Sequence, residues 1–295
     1  PQGPQSGNCA AGAPSFPVPD ETDRASRCPA LFPHSAHLPY RQSPHNYVLS
    51  ALDPITLKAE RHFVPLYHET YDVRAVIDAP LIGDHAGYYL RLAERFGGPV
   101  LELGAGTARI SRQLAASGID ATALEISDDM IDAGNRWGQP APADRFRIIR
   151  GDVRNLPRDR TYALVIAPFR MMQELDDETD VIRAFQEAFS VLQPGGLFCF
   201  DLIDIQAAPA LMHPDPTIQR LPDIRHPESG NAVRISACER LVNPVLRQYR
   251  EKWLFEEVDA AGRILRTEQS WQVHRWYRRS DIARLLQQAG GKSTI

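Results

Sequence analysis

The chain has 295 residues, 43% of them hydrophobic and 24% charged, with a formal net charge of −4. This composition supports a normal core, and the acidic balance gives no global attraction to phosphate backbones, so no nucleic-acid partner is expected. Cys9, Cys28, Cys199 and Cys238 form no C-x-x-C pair, which argues against a zinc site or a disulfide framework.

Cys199 lies in an apolar run and is expected to be a buried small hydrophobe. No run reaches the roughly 18 apolar residues of a membrane span, and no basic region followed by an apolar one opens the chain. The expectation is a soluble, cytoplasmic protein with no membrane partner and no metal.

Residues 1–55 are punctuated by ten prolines, from Pro1 to Pro54, and carry no apolar period. They are expected to form a disordered Pro-rich tail. The chain begins at Pro1 and its first methionine is Met130, as expected of a sequence that is incomplete, processed or begun upstream. Residues 56–98 read as a helical cap. Leu57, Phe63, Leu66, Tyr67 and Tyr71 suggest one helix interrupted near Pro65, and Asp84 to Phe96 a second, closed by Gly97-Gly98.

Residues 99–206 alternate short apolar strands with helices. The strands are Val100–Leu103, Ala121–Glu125, Phe146–Arg150, Tyr162–Ala167 and Gly196–Leu202. Helices run to Ser117, over Ser127–Arg136 with Ser127 as N-cap, and over Thr179–Leu192. The pattern predicts an α/β fold, Rossmann-like and doubly wound, with a mostly parallel sheet covered by helices on both faces.

Over 207–278 the rhythm changes. A Pro-rich linker, Pro209 to Pro227, precedes Arg234–Leu241, Gln248–Val258 and Ile264–Trp276, with a hairpin turn at Asp259–Gly262. These read as an inserted antiparallel segment forming a lid. Residues 279–295 hold the last helix, Ser280–Ala289 with Ser280 as N-cap, and the start of a further strand.

The chemistry concentrates at the strand ends. Val100-Leu-Glu-Leu-Gly104-Ala-Gly106-Thr-Ala-Arg109 is a strand running into a glycine-rich turn and a helix, a unit that brings backbone N–H groups to a bound cofactor. A dinucleotide fingerprint needs Gly or Ala where Arg109 stands. Glu102, two residues before Gly104, fits a different pattern, an acid followed by G-x-G-x-small.

Glu125 ends strand two, about 20 residues on, where an acid can accept both ribose hydroxyls of a nucleoside. Asp152 and Val153 follow strand three, where a carboxylate can hold an exocyclic amino group and a backbone N–H a ring nitrogen. Each has a plainer reading as an exposed or turn acid. Met130 packs either on an adenine or in the core. Pro168-Phe169-Arg170 follows strand four as a stiff apolar wall, with Arg170 offering a fork for a carboxylate or a surface salt bridge.

Taken together, Pro99–Arg109, Gly151–Arg154, Pro168–Leu175 and Leu192–Asp201 resemble the class I S-adenosylmethionine-dependent methyltransferases. The resemblance is to the bacterial small-molecule group in particular, and it covers residues 61 to about 290. It implies S-adenosylmethionine as cofactor and a small-molecule methyl acceptor, with Glu102, Gly104, Ala105, Gly106 and Thr107 cradling the methionine moiety. It places Glu125 and Ile126 at the ribose, Asp152 and Val153 at the adenine, and Pro168 beside the methyl group.

Ala108 departs from the family glycine, a change expected to be tolerated if φ stays negative there. The family sheet has two further strands after the last helix, where only Gly291–Ile295 remain here, so the sheet edge is either truncated or open. The reaction implied is in-line displacement by an N or O nucleophile. Tyr71, Arg170 and His274 are candidate catalytic residues, with Tyr67 and His68 as further candidates for a base. The alternatives are a non-catalytic S-adenosylmethionine-binding protein and a methyltransferase acting on a macromolecule. The sequence leaves the oligomeric state open.

Overall fold

The computed structural model describes residues 63–75, 84–175, 177–203 and 219–291. The chain divides into two units, Pro1–Ser50 and Ala51–Ile295, and every described residue belongs to the second. The expected tail over 1–55, the start of the first predicted helix, residues 209–218 of the linker and the last four residues lie outside the described residues.

Five strands form a parallel sheet in the order β3-β2-β1-β4-β5: β1 Val100–Leu103, β2 Ala121–Glu125, β3 Phe146–Arg150, β4 Tyr162–Ala167 and β5 Leu192–Phe200. β1 is central, buried on both faces, and its side chains alternate between two cores. Leu101 and Leu103 pack with Phe185 and Leu285 on one face, while Val100 packs with Tyr89, Ile110 and Leu114 on the other. The first face is covered by α5 Glu178–Ser190 and α6 Arg279–Gln288, the second by α2 His85–Phe96 and α3 Arg109–Ala116. α4 Asp128–Trp137 follows β2 and is capped by Ser127, whose hydroxyl accepts from the Met130 N–H at 3.3 Å.

The prediction errors have local causes. Pro65 starts a helix, α1 Pro65–Glu69, rather than interrupting one, because its missing N–H is not needed in a first turn. Residues 71–75 add a further helical stretch. α5 stops at Ser190 and β5 begins at Leu192, so the Pro194-Gly195 turn falls inside the strand as an irregularity between Tyr162 and Leu164 in the β4 register. Pro194 disfavours helix at the residue before it. The N-cap of α6 is Arg278, not Ser280. The Asp281 carboxylate accepts the Arg278 N–H at 2.9 Å. Cys199 is only partly buried, with its Sγ 3.7 Å from the Tyr88 hydroxyl.

The second sheet is antiparallel. β8 Ala232–Asn243, β9 Gln248–Val258 and β10 Ile264–Arg275 form two long hairpins, and the short β6 Gln219–Arg220 and β7 Ile224–Arg225 pair with β8. The predicted linker therefore contributes two strand pairings. The β9–β10 turn falls where predicted, with the Asp259 carboxylate accepting from the Ala261 and Arg263 N–H groups in an Asx-type turn.

This sheet packs against α1 and α4. Val64, Leu66, Tyr67 and Met130 share one core with Val233, Ile235 and Phe255. Charge fastens α1 as well, since Glu69 pairs with Arg266 and with His226. Gln173 joins the two sheets. Its side chain donates to the Arg275 carbonyl at 2.9 Å and accepts the Ile203 N–H at 2.7 Å.

Candidate active site

The order β3-β2-β1-β4-β5 reverses direction between β1 and β4, the position where open α/β sheets bind ligands. The turn after β1 is built from alternating left-handed residues: Gly104 at φ 60°, Gly106 at 58° and Ala108 at 61°. The condition of a negative φ at Ala108 is thus not met. A left-handed alanine costs about 1–2 kcal/mol, and the surrounding hydrogen bonds impose it. Ala108 N–H donates to the Ala105 carbonyl, Arg112 N–H to the Ala108 carbonyl, and Ala105 N–H to the Leu124 carbonyl. Side chains crowd the other two positions. A Cβ on Gly104 would lie 2.3 Å from Met171 Cγ, and one on Gly106 would lie 2.8 Å from Met130 Cε.

Glu102 and Thr107 serve the turn from behind. The Glu102 carboxylate accepts the Ser111 N–H at 2.8 Å and the Ser111 hydroxyl at 2.6 Å. Burial pushes its pKa up to about 7 against the pull of those two hydrogen bonds. The Thr107 hydroxyl donates to Asp72 at 2.5 Å. Ala105 is buried with Ala108 and Ala123. None of Glu102, Ala105 and Thr107 lines the cavity in front of the turn.

That cavity measures about 290 Å³, and Gly104, Gly106, Glu125, Ile126, Met130, Asp152, Val153 and Pro168 all line it. Eight of the eleven residues expected at the cofactor therefore meet at one hollow. Glu125 is 7% exposed. One of its oxygens accepts the Gly106 N–H at 2.7 Å, and the other accepts the Ile126 and Ser127 N–H groups at 2.9 Å. Asp152 is gripped by the Arg154 fork, which also reaches Asp180. Hydrogen bonds from that guanidinium, against a smaller effect of burial, hold the Asp152 carboxyl below the usual carboxylate range. Phe169, Met171 and Leu175 supply an apolar wall opposite.

The wall depends on a residue that the sequence reading left as part of a motif. Phe169 and Arg170 both stand at positive φ, 54° and 55°, costly for side chains of this size. Asp201, just beyond β5, holds them there. Its carboxylate accepts both of their N–H groups at 3.0 Å, the Tyr89 hydroxyl at 2.7 Å and His85 Nε2 at 3.0 Å. Burial works to raise its pKa, but the His85 and Tyr89 hydrogen bonds prevail and hold it low. The signal was the Phe200-Asp201 ending of the fourth motif, whose partners lie up to 116 residues away.

The catalytic candidates separate. Tyr71 lines the cavity beside Gly106. Burial raises its pKa far above the ordinary value, so its hydroxyl is a hydrogen-bond donor rather than a base. Arg170 follows Phe169 but points its Nη1 towards the Tyr249 hydroxyl, 3.5 Å away, and does not line the cavity. His274 is 2% exposed, with its ring centroid 5.1 Å from that of Tyr249, and is likewise away from the cavity. Tyr67 lines the cavity; His68 does not, and burial lowers its pKa. Glu174 and Asp180 are carboxylates in the wall to which sequence reasoning gave no role.

An acid-glycine turn, a ribose-height acid on β2 and an aspartate after β3, placed around one switch-point cavity, define a class I S-adenosylmethionine-dependent methyltransferase domain. Residues 100–196 match the family model described as a methyltransferase domain. The putative methyltransferase YqeM of Bacillus subtilis is 27% identical over 106 residues, which are 36% of this chain and 42% of that protein. The chain thus spans less than half the length of that relative. The malonyl-[acyl-carrier protein] O-methyltransferase of Pectobacterium atrosepticum is 27% identical over 215 residues, 67% of this chain and 79% of that protein. Among solved structures, S-adenosylmethionine-bound CalS10, an amino pentose methyltransferase from Micromonospora echinaspora, shares the fold. It aligns at a TM-score of 0.56 and 21% identity, covering 78% of this chain and 90% of that one. Among the described residues no helix is long and apolar enough to cross a membrane.

Proposed function

We propose that this chain transfers a methyl group from S-adenosylmethionine to a small-molecule N or O nucleophile. The observation that carries this reading is the convergence of Gly104, Gly106, Glu125, Asp152 and the Phe169 corner on one cavity. The cavity fits the donor, because two glycines and the carboxylates of Glu125 and Asp152 line one hollow beside an apolar wall. When bound, S-adenosylmethionine supplies a methyl group made electrophilic by its sulfonium.

In this reading Glu125 accepts the ribose hydroxyls, and Asp152 with the Val153 N–H takes the adenine edge. Met130 and Leu175 would pack against the base, and Phe169 and Met171 would keep water from the methyl. A dry apolar wall favours loss of positive charge along the reaction, and orientation supplies much of the remaining acceleration. Tyr71 orients the incoming nucleophile through its hydroxyl. Glu174 takes a proton from a nucleophile that arrives protonated. Arg170 and His274 act at a distance from the cavity, through Tyr249.

The name of CalS10, an amino pentose methyltransferase, supports a small-molecule acceptor, while that of the O-methyltransferase relative supports an O nucleophile on a group borne by an acyl-carrier protein. A cytoplasmic site of action fits two free thiols, Cys199 and Cys238. Calorimetry with S-adenosylmethionine, S-adenosylhomocysteine and NAD, followed by turnover of a metabolite panel, tests the reading. The first two bind and S-adenosylhomocysteine is released on turnover. Binding of NAD alone overturns the assignment, and donor binding with no release across the panel favours a non-catalytic binder.

A further inference from the structure

Arg74, in the helical stretch after α1, is a buried cation without an ion-pair partner among the described residues. It is 8% exposed. Its guanidinium carbon lies 4.4 Å from the centroid of the Tyr67 ring, 5.3 Å from Tyr71 and 5.9 Å from Trp253. Aromatic faces attract a cation, and Arg74 also hydrogen-bonds the Tyr67 hydroxyl, which leaves Nη1 to account for. Arg74 Nη1 is shut off from solvent and meets no hydrogen-bond acceptor among the described residues. The indole Nε1 of Trp253, on β9, is in the same state. Arg74 and Trp253 thus bring two buried donors without acceptors onto neighbouring side chains, and buried N–H groups are as a rule paired.

The location narrows the ligand. Tyr67 and Tyr71 belong to the wall of the donor cavity, so the cage adjoins the place where the methyl group would be delivered. No residue of the antiparallel sheet lines the donor cavity among the described residues, and Trp253 belongs to that sheet. A group held between Arg74 and Trp253 is therefore outside the donor's own space. Both unused donors are N–H groups and one carries full positive charge, which selects an oxyanion.

Resting on the methyl-transfer reading, we propose that Arg74 and Trp253 Nε1 anchor an anionic group, a carboxylate or phosphate, on the methyl acceptor. The acceptor is then a small anion whose nucleophilic N or O lies across the Tyr67–Tyr71 rings from its charge. The Arg74 fork fixes its distance from the methyl.

The test presents amines and alcohols in matched carboxylate, phosphate and neutral-amide forms, reading S-adenosylhomocysteine release in the wild type, Arg74→Met, Arg74→Lys and Trp253→Phe. Turnover is confined to anionic members, and the carboxylate and phosphate arms tell which oxyanion is used. Arg74→Met raises KM for them at least 30-fold while the Kd for S-adenosylhomocysteine stays within twofold. Arg74→Lys recovers part of the loss, and Trp253→Phe raises KM about fivefold.

In parallel, acetate and inorganic phosphate are titrated against the wild type and both Arg74 variants by thermal shift. One of them stabilises the wild type and not Arg74→Met. Equal turnover of neutral members, an equal loss of S-adenosylhomocysteine affinity in Arg74→Met, or no Arg74-dependent response to either anion each overturns the proposal. Failure of S-adenosylhomocysteine to bind the wild type instead defeats the methyl-transfer reading, and the anion titration still decides the site.

Discussion

The two sheets of this protein use their residues in opposite ways. In the parallel sheet the chemistry lies at strand ends, and backbone geometry does much of the work. Gly104 and Gly106 stand at positive φ in the turn, Glu125 sits at the last pairing of β2, and Asp152 lies two residues beyond the last pairing of β3. In the antiparallel sheet the chemistry lies in side chains that meet across long separations. Trp253 meets Arg74, Tyr249 meets Arg170, and Arg266 meets Glu69. A parallel sheet builds its site from local turns, whereas a covering sheet builds it only after the chain has folded.

The largest effect is expected where the two modes overlap, at Asp201. Asp201→Ala leaves two left-handed N–H groups without their acceptor, a loss on the order of 3 kcal/mol, read by urea denaturation. Turnover falls about 100-fold with the lost Phe169–Arg170 corner, equivalent to about 3 kcal/mol. An Asp201→Ala variant with unchanged turnover would show that the corner is not set by its carboxylate.

Next comes Asp152→Ala, which removes a charge-assisted hydrogen bond and weakens donor binding roughly 10- to 100-fold by calorimetry. Acceptor KM stays unchanged at saturating donor if the sites divide as described. A matched loss for donor and acceptor would erase the division.

The third contrast is in pH. Glu102, behind the donor turn, has its pKa raised to about 7 by burial. A carboxyl raised on folding stabilises fully below its unfolded value and loses that stability as pH rises through the folded one. The wild type is therefore expected to lose about 3 kcal/mol between roughly pH 4.5 and 7 from this group, and Glu102→Gln to lose that slope. Glu69, in the staple between α1 and the antiparallel sheet, behaves oppositely. Burial raises its pKa, but hydrogen bonds from Arg266 and His226 outweigh this and leave it lowered. Its contribution is present above the unfolded carboxyl value, near 4.5, and is lost as pH falls through the folded value. Glu69→Gln flattens that acid limb, and being partly exposed it changes neutral-pH stability by about 1 kcal/mol or less. Melting curves from pH 3 to 9 separate the two signs.

The smallest effect is at Ala108. Ala108→Gly relieves a left-handed alanine and frees the unfolded chain, two opposing terms of about 1 kcal/mol each. Stability should shift by less than about 1 kcal/mol, with donor affinity unchanged.

Legibility in the sequence follows the same division. The five strands, their parallel sheet and the glycine turn were readable because each signal spans a few residues with a fixed period, and the same signals set Glu125 and Asp152 at strand ends. The hairpins were readable as strands from alternation, but alternation does not say which face covers a cavity, and so His274 was placed at chemistry it does not touch. Arg74 and Trp253 carry no motif, since their meaning arises only when residues 179 positions apart come together. Asp201 was visible within a motif, yet its four donors come from α2 and the β4 corner, which no local pattern joins. Ala108 was misjudged because residue type alone favours negative φ, while the hydrogen-bonded turn overrides that preference.

The turn after β1 is secured on both shoulders, by Glu125 on the Gly106 N–H and by Glu102 on Ser111, with Thr107 tied to Asp72. Such a loop has little freedom left to lose when a ligand arrives. Recognition then approaches a lock already cut: association without a slow rearrangement of the turn, and affinity set by what the ligand displaces from Glu125 rather than by ordering of the backbone.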